Sequence, residues 1–319
     1  MRKRMMSATD GLQNPTAVAN PLPEIQVGDV SVVRIEETHG PIMPAGAFFP
    51  TIAADAWRTD QALLVPDHLG VDDDMVHVAM QSWLLRSEGR TILVDTGVGN
   101  DKIRPAVEPW HQQQVGYLGR LAEAGIKPED VDLVINTHLH VDHVGWNTRL
   151  VDGQWVPTFP NATYLMPALD FQHWNPENNP GIAGSVNENA YDDSIAPVHA
   201  NGQVQLWEDT YLIDGNLRLE AAPGHTPGHA VIMLDSVGER ALFAGDIVHT
   251  PLQLRHHDHS SCFCEDPTQA ALTRRRLLGW AADTRALVLP AHFSGHSALE
   301  IERRGESYAV KQWGSFPRY

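Results

Sequence analysis

The stretch that most constrains this chain is the heptapeptide Thr137-His138-Leu139-His140-Val141-Asp142-His143. It follows the apolar run Val131, Leu133, Val134 and Ile135, which reads as a buried strand ending in a loop. Four groups able to hold a divalent cation fall within six positions, a density that marks a metal site better than a surface loop. If the extended pattern runs on through His138 and His140, residues two apart face one side and both imidazoles meet one ion. Asp142 and His143 then turn towards a second. Imidazole and carboxylate are ligands that zinc takes at about 2.0 to 2.2 Å, with no thiolate needed.

The heptapeptide resembles the His-x-His-x-Asp-His signature of the metallo-β-lactamase superfamily, and four further segments resemble that family's pattern in the same order. They are Leu93-Val94-Asp95-Thr96-Gly97, Ala222-Pro223-Gly224-His225-Thr226-Pro227-Gly228-His229, Phe243-Ala244-Gly245-Asp246 and Leu289-Pro290-Ala291-His292. The resemblance, over roughly residues 76 to 295, implies an αββα sandwich and two zinc ions, with manganese, cobalt or iron as other occupants. It implies His138, His140 and His225 on the first ion, and Asp142, His143 and His292 on the second. Asp246 would bridge the two, and Asp95 would orient the ligand loop from outside.

Composition narrows the partners. The formal charge is −17, from 40 acidic against 23 basic residues, so the surface offers no clustered cations for a phosphate backbone and nucleic acid is excluded. No stretch approaches the length of a membrane span. Two cysteines, Cys262 and Cys264, are too few for a disulfide framework, and no apolar segment follows Arg2-Lys3-Arg4, so the cytoplasm is the expected compartment. The 42% hydrophobic content supports one large core. Residues 1–25 read as an N-terminal arm and 26–319 as a single domain.

Along the chain, strands are expected over Ile25–Ile35, Val76–Arg86 and Thr91–Asp95, and near Ala162–Leu165, Leu217–Ala221, Ala230–Leu234, Ala241–Ala244 and Ala286–Leu289. Helices are expected over His111–Ala124, closed by Gly125, over Ala168–Trp174, and from an N-cap at Asp266 followed by Pro267. Thr38–Pro66 reads as a long irregular segment, either a lid or substrate wall or a plain surface excursion. Asn175–Asn201, with six Asn, reads as an insertion at the pocket mouth, at a dimer contact, or merely on the surface.

Two ions sharing Asp246 would lower the pKa of a water towards neutrality and polarise the attacked group, so metal-assisted hydrolysis is the natural reaction class. Asp142 has a second potential duty in accepting or passing on a proton. The all-His/Asp ligands and Leu242-Phe243-Ala244-Gly245-Asp246-x-x-His249 look most like the branch with N-acyl homoserine lactonases and methyl-parathion-hydrolase-like enzymes. The expected substrate is therefore a neutral, fairly apolar ester or lactone cleaved by hydroxide held on the metal. Alternatives are an organophosphate triester, a dehalogenase or β-lactamase-like reaction, or a metal-binding member without turnover. Homodimers are frequent in that branch. Trp146 is expected to wall the pocket together with Phe48, Phe49 and Trp174, or else to pack under the ligand loop, and His249 to line the pocket floor or stand behind a ligand. The tyrosine of the best-known lactonases has only Tyr191 and Tyr211 as candidates. His229, His296 and the run His256-His257-Asp258-His259 read as packing or pocket-rim residues.

Overall fold

A computed structural model describes residues 22–314. The expected N-terminal arm lies outside the described residues up to position 21, and a strand has already begun at Glu24. Strands β1 (Glu24–Val27) and β2 (Val30–Pro44) form a hairpin across Gly28-Asp29, with Gly28 at φ +58. There follow β3 (Met75–Ser87), β4 (Arg90–Val94), β5 (Leu133–Ile135), a small hairpin β6 (Thr148–Val151) and β7 (Gln154–Pro157), then β8 (Thr163–Pro167) and β9 (Val204–Trp207). The first sheet has the order β1-β2-β3-β4-β5-β8-β9. The second runs in chain order through β10 (Thr210–Leu212), β11 (Leu217–Ala221), β12 (Ala230–Ser236), β13 (Glu239–Gly245), β14 (Leu287–Pro290), β15 (Leu299–Arg304) and β16 (Ser307–Trp313).

Side-chain parity builds the layers. On β4, Ile92 and Val94 join the core shared by the two sheets, while Leu93 between them faces the outer core with Tyr117 and Leu121 of the helix Tyr117–Glu123. On β12, Ile232 and Leu234 point between the sheets, and Val231 and Met233 pack with Leu277, Leu278 and Ala281 of the helix Pro267–Thr284. Strands buried on both faces read as unbroken apolar runs, because alternate residues serve different cores. The result is the αββα sandwich.

Register brings five loops to one edge. β4, β5 and β8 are parallel, as are β13 and β14, so the loops after β4 and β5 leave one sheet together and those after β13 and β14 leave the other together. β12 is antiparallel to β13, with Ile232 opposite Phe243, so the start of β12 and the loop 222–229 before it lie beside the end of β13. Catalytic groups in open α/β sheets collect at such strand ends.

Three local expectations are corrected. β5 stops at Ile135, so the two histidines are not on a strand: Asn136 to Asp142 is loop, and the rings are brought together by loop bonds. β2 continues through Thr38 to Pro44; irregular register between Glu36 and Thr38, and again between Pro41 and Met43, hid its period. The helix expected from His111 starts only at Tyr117, because the preceding glutamines bond elsewhere: Gln112 N–H donates to Lys102 O, and Gln113 Nε2 to Glu37 and Gly99. Asn175–Asn201 is clamped: Arg104 grips Asp193 with two bonds of 2.7 and 2.8 Å, and Lys102 Nζ donates to Asp193 O at 3.0 Å. The helix at Asp266 is as read, its carboxylate accepting from Gln269 N at 2.9 Å.

Candidate metal centre

At this edge the loops deliver four ligand groups that share residues. His138, His140 and His225 each place a ring nitrogen within 4.8 Å of the others; so do Asp142, His143 and His292 with one ligand atom each. Asp246 lies between them: Oδ2 is 3.3 Å from His225 Nε2 and 3.1 Å from His292 Nε2, and Oδ1 is 3.5 Å from His143 Nε2. Asp246 also groups with His225 and His249, whose Nε2 is 3.2 Å from Oδ2. All the residues predicted as ligands are therefore in one cluster. Only Asp142, with a side chain 13% exposed, is not fully buried.

Four of the five rings are aimed by the atom they turn away from the centre, while His140 Nδ1 faces His225 Nε2 at 3.0 Å. His143 Nδ1 is 2.9 Å from Asp95 Oδ2, and His292 Nδ1 donates to Ala79 O at 3.0 Å. His138 Nδ1 meets Thr137 Oγ1 at 3.0 Å, and that hydroxyl in turn donates to Asp95. His225 Nδ1 lies 3.5 Å from Cys264 Sγ. Asp95 also accepts from Thr137 N, and it sits at φ +58, a left-handed conformation costly for a non-glycine residue. Burial, reinforced by neighbouring rings, pushes His138 and His225 well below the usual imidazole range, and His140 to about 3. Burial opposes ionisation of Asp246, yet the surrounding imidazoles outweigh it and hold the carboxyl well below its ordinary value. His138, His140 and His225 are thus unprotonated, the donor state a cation requires; at His143 and His292 burial lowers the pKa but Asp246 and Asp142 outweigh it and raise both, so a cation there would displace their protons. His138 Nε2 and Asp246 Oδ1 are buried without a hydrogen-bond partner, an arrangement a cation would satisfy.

Three residues to which the sequence assigns no part in the cluster support it. Asp170, in the helix Ala168–His173, accepts from Leu139 N, Thr226 Oγ1 and Gly228 N at 3.0, 2.8 and 2.6 Å, so one buried carboxylate ties the loop of His138 and His140 to that of His225. Asp170→Ala is expected to weaken metal binding about 10- to 100-fold, the usual scale for an outer-shell partner, as read by competition with a chromophoric chelator. An unchanged affinity would deny it that role. His229, expected to pack or cap, accepts from Asp246 N at 2.9 Å through Nε2 and faces Ala222 O through Nδ1. Gly245 must be glycine here, since a Cβ would lie 2.6 Å from His229 Nε2.

Glu37 is the third. Its carboxylate accepts from Val98 N, Gly99 N, Trp146 Nε1 and Gln113 Nε2 at 2.7 to 3.0 Å, which fastens the loops after Asp95 and after His143 together. Burial pushes its pKa up to about 7, against the lowering effect of those donors. The native state therefore binds this proton more tightly than the unfolded chain. Its share of stability is full below the unfolded value near 4.5 and is lost as pH rises towards about 7, a loss of about 3 kcal/mol. Glu37→Gln turns an acceptor into a donor and should be less stable throughout. The gap from wild type should narrow by about 3 kcal/mol between pH 5 and pH 8 in urea unfolding; a constant gap would refute the titration.

The cluster opens into a cavity whose apolar wall includes Ile42, Phe48, Met80, Trp110, Val186 and Phe263, with His249 also lining it. Trp146 is not a wall but takes the other expected place: it stacks on Tyr117 at 5.2 Å beneath the ligand loop. Phe49 packs against Trp57, and Trp174 faces His140 at 5.0 Å on the side of a neighbouring cavity. Neither Tyr191 nor Tyr211 lines the metal-side cavity. His296 stacks near Trp313, and His257 is buried beside Tyr308, both away from the cluster.

The chain belongs to the metallo-beta-lactamase superfamily, whose model matches residues 79–292. Its curated relatives include the N-acyl homoserine lactonase AttM of Azorhizobium caulinodans, 30% identical over 122 residues, or 38% of this chain and 42% of that protein. An N-acyl homoserine lactonase from a Bacillus species is 25% identical over 186 residues, 53% of this chain and 66% of the relative. The chain thus spans about two-fifths to two-thirds of the curated relatives it matches. Among solved structures, the hydrolase AbOPH of the beta lactamase superfamily superposes with a TM-score of 0.74 at 24% identity, covering 95% of this chain and 99% of that one. AidC, a dizinc quorum-quenching lactonase, gives 0.71 at 18% identity, covering 92% and 97%. At these identities the likeness establishes the fold. Among the described residues, no helix is long and apolar enough to cross a membrane.

Proposed function

We propose that the protein is a dinuclear metal hydrolase, with zinc as its metal, that cleaves a neutral and fairly apolar ester or lactone. The observation that carries this reading is Asp246, whose carboxylate lies within 3.9 Å of imidazoles from both ligand groups at the floor of an apolar cavity. In this reading His138, His140 and His225 hold one ion, Asp142, His143 and His292 hold the other, and Asp246 serves both. Bound divalent ions supply a water activated at neutral pH and an electrophile for the carbonyl oxygen. Asp142, the ligand most open to the cavity, takes the proton released on attack and returns it to the leaving alkoxide. His249 faces the same space with a ring nitrogen able to donate to a substrate oxygen. The apolar wall excludes bulk water and receives the acyl or alkyl portion.

No Lys or Arg lines the cavity, which disfavours a substrate carrying an obligatory carboxylate, such as a β-lactam. A neutral phosphotriester meets the same requirements and is the second reading. The lactonases among the relatives support placing lactones first. The test is turnover of an acyl homoserine lactone, a nitrophenyl ester, a paraoxon-type triester and a cephalosporin, with metal content measured on the same sample. About two ions per chain with preferred lactone turnover is the expected result. A fully metallated protein inert towards every member of the panel would remove the reading.

A further inference from the structure

We propose that Asn187 is a substrate-binding residue whose amide N–H donates to an acceptor carried beside the scissile ester, such as an exocyclic amide carbonyl, and that it thereby selects N-acylated or oxo-substituted esters. This rests on the ester or lactone reading above.

Asn187 lines the metal-side cavity with Asp142, His140 and Val186, at its border with the neighbouring cavity that Trp174 lines, and it is buried. Its Oδ1 accepts from Val141 N at 3.0 Å, between two residues of the cluster. A backbone N–H can only donate, so the amide orientation follows: oxygen to the loop, NH₂ away from it. That NH₂ has no acceptor among the described residues. Apart from the indole of Trp110, every other polar side chain on the cavity wall is a carboxylate or an imidazole of the cluster, so Asn187 is the one amide donor there.

The residue is also held in place. Asn187 N–H donates to Ser185 Oγ at 3.2 Å and its carbonyl accepts from Ala190 N at 3.1 Å, while the nearby Asp193 is gripped by Arg104. A pre-oriented donor in an apolar wall discriminates well, because a substrate lacking the acceptor leaves it unpaired.

Two variants separate binding from loop support. Asn187→Ala removes both bonds; Asn187→Asp keeps an oxygen for Val141 N–H and removes the donor. Each is assayed on an N-acyl homoserine lactone and on a γ-alkyl lactone of matched chain length without the amide, with metal content measured. The expected result is a fall of about tenfold in kcat/KM for the acylated lactone in both variants, mainly through KM. The plain lactone should change by less than about threefold, with metal content unaltered. Equal falls on both substrates, no fall on either, or a fall in Asn187→Ala alone would reduce Asn187 to a loop anchor and overturn the proposal. A metallated wild type inert towards both lactones would overturn the ester reading itself, and this proposal with it.

Discussion

His138→Ala is expected to lower kcat/KM by about 10³-fold or more and to remove about one metal ion per chain while leaving the far-ultraviolet circular dichroism unchanged. His138 is fully buried and takes part in two of the ligand groups, one with His140 and His225, the other with His143 and Asp246. Its ring lies among those of His140, His143, His225 and His229 at centroid distances of 4.0 to 5.1 Å, so no neighbour can swing in to replace it without leaving its own bond. Truncation therefore opens the first site and strips Asp246 of part of its surroundings. His256→Ala, in a half-buried loop ring paired with His259, is the control and should retain activity. A His138→Ala protein that keeps its metals and works within tenfold of wild type would show that the cluster is not the reaction centre.

Removing metal should cost stability as well as turnover. The cluster gathers ionised and polar groups that burial penalises, and His138 Nε2, Asp246 Oδ1 and both nitrogens of His249 lack a well-formed hydrogen bond. A cation that binds only the folded chain stabilises it by about 4 kcal/mol when free metal exceeds the Kd a thousandfold. For a chain of this size that corresponds to roughly 6 °C in Tm, lost on dialysis against a chelator and regained with zinc. A Tm indifferent to chelation, with metal removal verified by elemental analysis, would mean that the cluster holds no tightly bound ion. The two experiments are independent, since one reads chemistry and the other reads the folded state.

The heptapeptide and the segments containing His225, Asp246 and His292 could be read from the sequence because metal ligands are few in type and keep short spacings. The strands around them could be read because β4, β12, β13 and β14 are buried on both faces and show as apolar runs. What could not be read is how the ligands are held. Asp170, Glu37 and His229 act across 31 to 109 positions of chain or through a backbone atom, and nothing local distinguishes them from ordinary polar residues. A carboxylate in a helix behind the site and another at an irregularity within β2 declare themselves only when the N–H groups they collect are seen. The two roles open to Trp146 in the sequence have the same origin. Its neighbourhood suggested a pocket wall, but its indole N–H has Glu37 as partner and its face has Tyr117, and both are set by tertiary packing. The reading of His138 and His140 on one strand brought them to one ion by the wrong geometry: the loop Asn136–Asp142 does it, braced by Asp95 and Asp170.

Val141 aside, the apolar walls and the ligands of this cavity come from different stretches of chain. Ile42 and Phe48 follow from β2, Trp110 from the loop before the helix Tyr117–Glu123, Val186 from the clamped insertion and Phe263 from the segment before the last long helix, whereas the ligands sit on the strand-end loops. Such a division makes the molecule modular: side chains that sort one acyl group from another can drift, or be exchanged as cassettes, while the inorganic core persists. Val141 N–H to Asn187 is the seam between the two parts, and it is where a grafted wall would most need to be matched to its host.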